Sequence, residues 1–117
     1  MAEHWERLGY GPYAVELKKT GELLGIVGFF YPAHWPEPEI KWALARKYWG
    51  FGFAKEAAQA VQRIGSKYIP QISLISFIHS QNGNSIGLAY ALGATFEKEM
   101  LFRGDQTWHV YRHPTVT

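Results

Sequence analysis

RKYWGFGFAKEAAQAV, residues 46–61, sets two glycines one residue apart among aromatic residues and turns at once into an alanine-rich amphipathic run. From Ala54, the apolar residues Ala57, Ala58, Val61, Ile64 and Tyr68 recur at the spacing of one helix face, and Pro70 ends the pattern. Just upstream, EIKWALA (39–45) alternates with a period of two and predicts a strand. A strand, then Gly50-Phe51-Gly52, then a helix start points free backbone N–H groups and the positive end of the helix dipole at one place. Glycine suits such a turn because it accepts positive φ, and because no Cβ blocks an approaching oxyanion. The pattern fits a phosphate cradle, but a lone Gly-x-Gly of this kind more often marks a tight strand-to-helix turn with no ligand. It matches neither named nucleotide motif: the Gly-Lys-Ser/Thr ending of a P-loop is absent, as are the third glycine and parallel strand order of a dinucleotide site.

The flanks supply the rest of the order. PYAVELKK (12–19) sets Tyr13, Val15 and Leu17 against Ala14, Glu16 and Lys18, as in a half-buried strand. TGE (20–22) carries turn chemistry, and LLGIVGFFY (23–31) is a continuous apolar run that predicts a covered strand paired with the first as a hairpin. Gly25 and Gly28 within it point to a bulge or a close backbone approach. PAHWPEPE (32–39), with its three prolines, predicts a loop. ISLISFI (72–78) predicts another buried strand and HSQNGN (79–84) a turn-rich loop. Ser85 stands where an N-cap belongs, opening a short helix IGLAYAL (86–92) that ends at Gly93. Runs 94–102 and 106–112 flank Arg103-Gly104-Asp105, which reads as a hairpin turn rather than an adhesion signal. The expected fold class is α+β, a mostly antiparallel mixed sheet with helices packed on its faces.

Composition narrows the chemistry. At 117 residues, 47% hydrophobic and 19% charged, the chain reads as one domain spanning 1–117. With no cysteine it has no disulfide, no thiolate metal ligand and no thiol nucleophile. His4, His34, His79, His109 and His113 are scattered without a helical i, i+4 pair, so no metal is expected. MAEHWERLGYG at the start lacks a basic segment followed by an apolar one, and no run approaches the ~18 apolar residues of a bilayer span. A cytoplasmic protein without a membrane partner is expected. A net charge of +2 is too small to imply nucleic acid.

In full, PEPEIKWALARKYWGFGFAKEAAQAV (36–61) resembles the central segment of the Gcn5-related N-acetyltransferase (GNAT) superfamily. It is most similar to the RimJ/RimL-type branch that acetylates ribosomal-protein N-termini, whose signature Tyr-Trp-Gly-x-Gly-Tyr/Phe-Ala-x-Glu-Ala matches residues 48–57. A second block, Asn82-Gly83-Asn84-Ser85 followed by Leu92-Gly93-Ala94, resembles the family's Asn-x-x-Ser and Leu-Gly-aromatic, with Ala94 in place of the aromatic residue. The resemblance, covering residues 12–112, implies acetyl-CoA as co-substrate and no metal. It implies that amides around Tyr48, Trp49, Gly50, Phe51, Gly52, Phe53 and Ala54 hold the pyrophosphate. It also implies that the backbone of Trp42, Ala43, Leu44 and Ala45 pairs with the pantetheine arm, and that Asn82 bonds the same arm. Lys47 falls where the family has Gln or Arg; Arg46 and Lys55 are further candidates to meet phosphate.

For catalysis the resemblance implies a base that neutralises an amine and an acid at the leaving thiolate. Glu39 stands at the base position, with a solvent-facing glutamate at a loop edge as the equal alternative, and Glu37 as a weaker substitute. Ser85 stands at a hydroxyl position of the RimL-like branch, against its alternative role as helix cap. Tyr90 lies three residues before Gly93, where the family's tyrosine lies four before; the place falls to Ala89, so the role is not transferred. His34 and Trp35 precede Glu39 in a loop that suits an acceptor pocket, whereas Trp5 and Trp108 suit packing. Relative to the family, the first strand and helices are missing. That leaves the strand at Tyr13 an open edge, and a homodimer is expected. The expected function is acetyl transfer from acetyl-CoA to a primary amine. The alternatives are a truncated acyl-CoA-binding module and a catalytically decayed dimeric interaction domain.

Overall fold

Six strands and two helices make up the computed structural model, which describes residues 12–31, 37–70, 72–102, 104 and 106–114. In chain order they are β1 (Pro12–Glu16), β2 (Leu23–Phe30), β3 (Glu39–Leu44), α1 (Phe53–Tyr68), β4 (Ile75–His79), α2 (Gly83–Ala91), β5 (Thr95–Phe102) and β6 (Gln106–Arg112). The strands form one sheet in the order β1-β2-β3-β4-β6-β5. Every neighbouring pair is antiparallel except β3 and β4, which run parallel and share a single register pair, Glu39 with Ile75. This is the expected α+β class, and the sheet parts between its two parallel strands.

Element ends differ from the periodicity reading where a local hydrogen bond intervenes. β1 stops at Glu16 because Leu17 closes the next turn, its N–H donating to Glu22 O at 2.9 Å and its carbonyl accepting from Gly21 at 2.7 Å. β4 starts at Ile75 rather than 72 because the Ile72 N–H turns back to Ile69 O at 3.0 Å. Gly25, at φ 156, lies beside the register shift between β1 and β2, and a Cβ there would collide with the Ala43 carbonyl oxygen. Only glycine lets β2 approach β3 so closely.

Strand side chains alternate faces, and the two helices select the same face. Ala58 and Val61 of α1 pack on Val27, Phe29 and Ile40, while Ala89 of α2 packs with Ile78 and Tyr111. Each large core side chain so buried contributes about 1.5–3 kcal/mol. Ile75, Phe77 and Val110 form a separate cluster with Met100 and Trp108 on the opposite face.

A buried polar chain ties the parting strands together. The Gln62 amide nitrogen lies 2.9 Å from Leu92 O and 3.0 Å from His113 Nδ1. Because the carbonyl needs a donor, the amide NH₂ faces both groups and Nδ1 accepts. The imidazole proton therefore sits on Nε2, 2.7 Å from Ser76 Oγ, and the Ser76 hydroxyl donates to Ile40 O at 2.7 Å. Burial first, then the neighbouring Arg112 cation, pushes the His113 pKa down to about 4, so the ring is neutral at pH 7. One chain of hydrogen bonds thus links α1, the end of β6, β4 and β3 where the backbone ladder gives out.

Candidate functional site

Between β3 and α1 the chain makes a 3-10 turn, Arg46–Tyr48, in which Tyr48 N–H reaches Ala45 O at 2.9 Å and Trp49 N–H reaches Arg46 O at 3.0 Å. Gly50 and Gly52 come next, both in the left-handed region, at φ 87 and 81. Gly52 is the N-cap of α1; its carbonyl accepts from Glu56 at 3.0 Å, and no side chain caps the helix. Among the described residues, no backbone carbonyl outside the helix takes the N–H groups of residues 50–55. Nothing lies within 4 Å of where a Cβ would stand on either glycine. The loop therefore offers a set of unpaired donors, at the positive end of a helix, facing open space.

That space is a cleft of about 700 Å³. Trp42, Ala43 and Leu44 of β3 form one wall, and Tyr48, Trp49, Gly50 and Gly52 the turn. Phe53 and Ala54 contribute the start of α1, and Asn82 and Ser85 the start of α2. The structure thus gathers most of the expected binding residues in one place, with Lys55, Asn84 and Leu88 beside them. Four expected residues do not line it. The Arg46 guanidinium lies over the Trp49 ring, 5.6 Å from its centroid. The Ala45 N–H is committed to Leu24 O at 2.9 Å. The Lys47 ammonium pairs with Glu22 at 2.9 Å on the outer surface, and Phe51 is 69% exposed, its ring stacked on Phe53. The Tyr48 hydroxyl beside Glu22, and then Lys47, hold the Glu22 carboxyl below its usual range.

The edge of β3 is arranged for an extended partner. Ala45 bonds toward β2, so the backbone groups of alternate residues Ile40, Trp42 and Leu44 turn toward β4. Ile40 O accepts from Ser76, and Leu44 O accepts from the Trp49 indole at 2.9 Å. Trp42 and the Leu44 N–H face the gap.

Within the gap stands Glu39. It is 2% exposed, and its Oε2 accepts from the Phe77 N–H at 2.8 Å, the amide that β3 would have received had the strands stayed paired. A solvent-facing glutamate is therefore ruled out: the divergence of β3 and β4 draws Glu39 inward. Glu37 is occupied otherwise, both its oxygens 2.9 Å from the Arg112 guanidinium, which also grips Glu97. Those two carboxylates, Glu37 foremost, raise the Arg112 pKa above its ordinary value. A second space of about 200 Å³ opens beside Glu39, lined by Lys41, Phe77, His79 and Trp108, and it shares Trp42, Asn82 and Ser85 with the large cleft. Nothing in the sequence pattern assigns His79 or Lys41 to a site. The available signal for His79 was a polar residue closing a buried strand, and its Nδ1 accepts from the Gln81 N–H at 3.0 Å. Trp108 stacks on Phe77 at 5.0 Å between centroids, so it packs as expected while also facing this space.

At the start of α2 the structure corrects one expectation. Asn82, not Ser85, is the N-cap: its Oδ1 accepts from the Ser85 N–H at 3.2 Å. Asparagine and serine both cap well, and the helix takes the earlier one. Ser85 is left three residues inside, its Oγ accepting from the Trp42 indole at 3.1 Å. Gly93 closes the helix as expected, its N–H bonded to Tyr90 O and that of Ala94 to Ala89 O, both at 3.0 Å. Tyr90 does not line the cleft. Its ring meets Tyr111 edge-on at 5.4 Å, and burial, with Tyr90 a lesser cause, pushes the Tyr111 phenol up. Ala89 is fully buried.

His4, Trp5, His34, Trp35, Arg103 and Asp105 lie outside the described residues. Among the described residues no cluster of His, Asp or Glu could hold a metal ion, and no helix is long and apolar enough to cross a membrane.

The chain is similar to known proteins in both sequence and fold. The acetyltransferase (GNAT) domain family matches residues 1–95. The chain is 32% identical over 92 residues to an uncharacterised N-acetyltransferase, p20, of Bacillus licheniformis, covering 78% of this chain and 51% of that one. The chain spans about half the length of the curated relatives it matches. A Bordetella pertussis protein assigned to the GNAT acetyltransferases superposes with a TM-score of 0.86 at 25% identity, over 97% of this chain and 71% of that one. A ribosomal-protein-S5-alanine acetyltransferase of Vibrio fischeri shares the fold, with a TM-score of 0.80 at 16% identity over 97% of this chain and 66% of that one.

Proposed function

The chain belongs to the acetyltransferase (GNAT) family, and from that premise we propose that it transfers acetyl from acetyl-CoA to a primary amine, a peptide N-terminus or a small-molecule amine. The observation that carries this reading is the continuity of the site. Unpaired N–H groups at residues 50–55 open on a cleft that runs along β3 to a gap holding a buried carboxylate.

In this reading the amides of the Gly50-Gly52 loop and the α1 dipole take the pyrophosphate of acetyl-CoA. The Trp42 and Leu44 backbone takes the pantetheine arm, with the side chain of Asn82 or Asn84 beside it. The thioester then lies in the gap between β3 and β4, and the amine approaches from the space beside Glu39. Glu39 removes a proton from the ammonium, directly or through water, and the free amine attacks the thioester carbonyl carbon. The C–S bond breaks with its electron pair on sulfur. Of the two protons the nitrogen gives up, one ends on sulfur and one is released, leaving an amide and the free thiol. An alcohol is a weaker acid than a thiol, so Ser85 acts at the departing sulfur as a hydrogen-bond donor.

Free-thiol release from acetyl-CoA across a panel of primary amines tests the reading. Turnover in the wild type that falls about 10²-fold or more in Glu39→Gln supports it. Binding without turnover for any amine leaves only the acyl-CoA-binding module. The reading extends to a homodimer, on β1 standing at an edge of the described sheet. A dimer mass by light scattering at micromolar concentration supports this, and a monomer mass removes it.

A further inference from the structure

The Trp42 side chain does something its backbone does not. Its indole Nε1 donates to Ser85 Oγ at 3.1 Å across the cleft, joining β3 to the first turn of α2. An indole nitrogen donates and never accepts. The bond therefore engages an oxygen lone pair and leaves the Ser85 proton to point elsewhere. Among the described residues the Ser85 hydroxyl enters no other side-chain hydrogen bond, and its helix position is pinned by the Asn82 Oδ1 contact at 3.2 Å. The indole is itself held: its ring meets His113 edge-on at 6.5 Å, and His113 is fixed on both nitrogens by Gln62 and Ser76.

Resting on the acetyl-transfer reading, we infer that Trp42 is a positioning residue for that reaction: its indole N–H orients the Ser85 hydroxyl so that the O–H faces the gap where the thioester sulfur leaves. Accepting an N–H bond also polarises the hydroxyl and makes its hydrogen a better donor. Trp42 need touch no reacting atom. The buried Gln62–His113–Ser76 chain acts as the support that keeps the indole in place as the cleft fills.

A double-mutant cycle on turnover tests this, using acetyl-CoA and whichever amine the wild type accepts. Trp42→Phe keeps an aromatic ring and removes the N–H. It should lower kcat roughly tenfold with KM for acetyl-CoA little changed, the loss of one oriented hydrogen bond. Ser85→Ala should lower kcat at least as far, and Ser85→Thr should restore most of it. The double variant Trp42→Phe/Ser85→Ala should be no slower than Ser85→Ala alone, because Trp42 acts through Ser85. A Trp42→Phe effect that persists undiminished when Ser85→Ala is already present, or an unchanged kcat, overturns the inference while leaving acetyl transfer standing. Absence of wild-type turnover overturns the transfer reading and the inference with it. Should Trp42→Phe fail to fold, the Trp42 indole N–H resonance in Ser85→Ala reads the bond from its other end. An upfield shift supports the pairing, and an unmoved resonance overturns it.

Discussion

Gly52 faces open space at φ 81, so a Cβ there meets no neighbour and the cost of adding one is backbone strain alone. Gly52→Ala should lose about 1–2 kcal/mol of stability by chemical denaturation, while keeping the same sheet. Its affinity for acetyl-CoA should fall further than that strain explains, since the new methyl stands over the donors. Glu39 presents the opposite case. A glutamine oxygen can still accept from the Phe77 N–H, so Glu39→Gln should keep its thermal midpoint within a few degrees while losing turnover. Glu39→Ala, which removes that acceptor, should cost a further ~1–3 kcal/mol of stability. What the sequence concealed at this scale was partnership over distance. The partner of Lys47, Glu22, lies 25 residues away on another turn, and Glu39 reads equally as a base or as a loop-edge residue until β4 is known to diverge from it.

The elements were the legible level. Alternation in 12–19 and the apolar spacing after Ala54 placed a strand and a helix within a few residues of their observed ends. The glycine pair between β3 and α1 marked the loop before any contact was known. The start of α2 was harder, because Asn82, Asn84 and Ser85 are each competent to cap. The joint between elements is where pH should act. In the unfolded chain His113 titrates near 6.5, and in the fold only at about 4. Between those values unfolding takes up a proton, so its contribution falls as pH drops through that window and is constant above it. The loss should be about 3 kcal/mol. Urea denaturation of wild type and His113→Gln at pH 7 and pH 4.5 checks this. The wild type should lose more stability than the variant over that interval, because carboxylates titrate in both. Equal losses would show that the ring is not held neutral.

At the scale of the whole molecule, one feature of topology does most of the organising. A parallel pair inside an otherwise antiparallel sheet shares one register position and then opens, and the opening joins the large cleft to the space around Glu39. Sequence order alone predicted a mostly antiparallel sheet with helices on it, but not that α1 and α2 share a face. That arises from how β4 returns beside β3, which no local pattern records. The most direct test is a crystal structure with acetyl-CoA bound. It should place the pyrophosphate against the amides of residues 50–55 and the thioester between β3 and β4, with its sulfur within hydrogen-bond reach of Ser85. Acetyl-CoA bound elsewhere, or a pyrophosphate that leaves the Gly50-Gly52 loop empty, would contradict the proposed site.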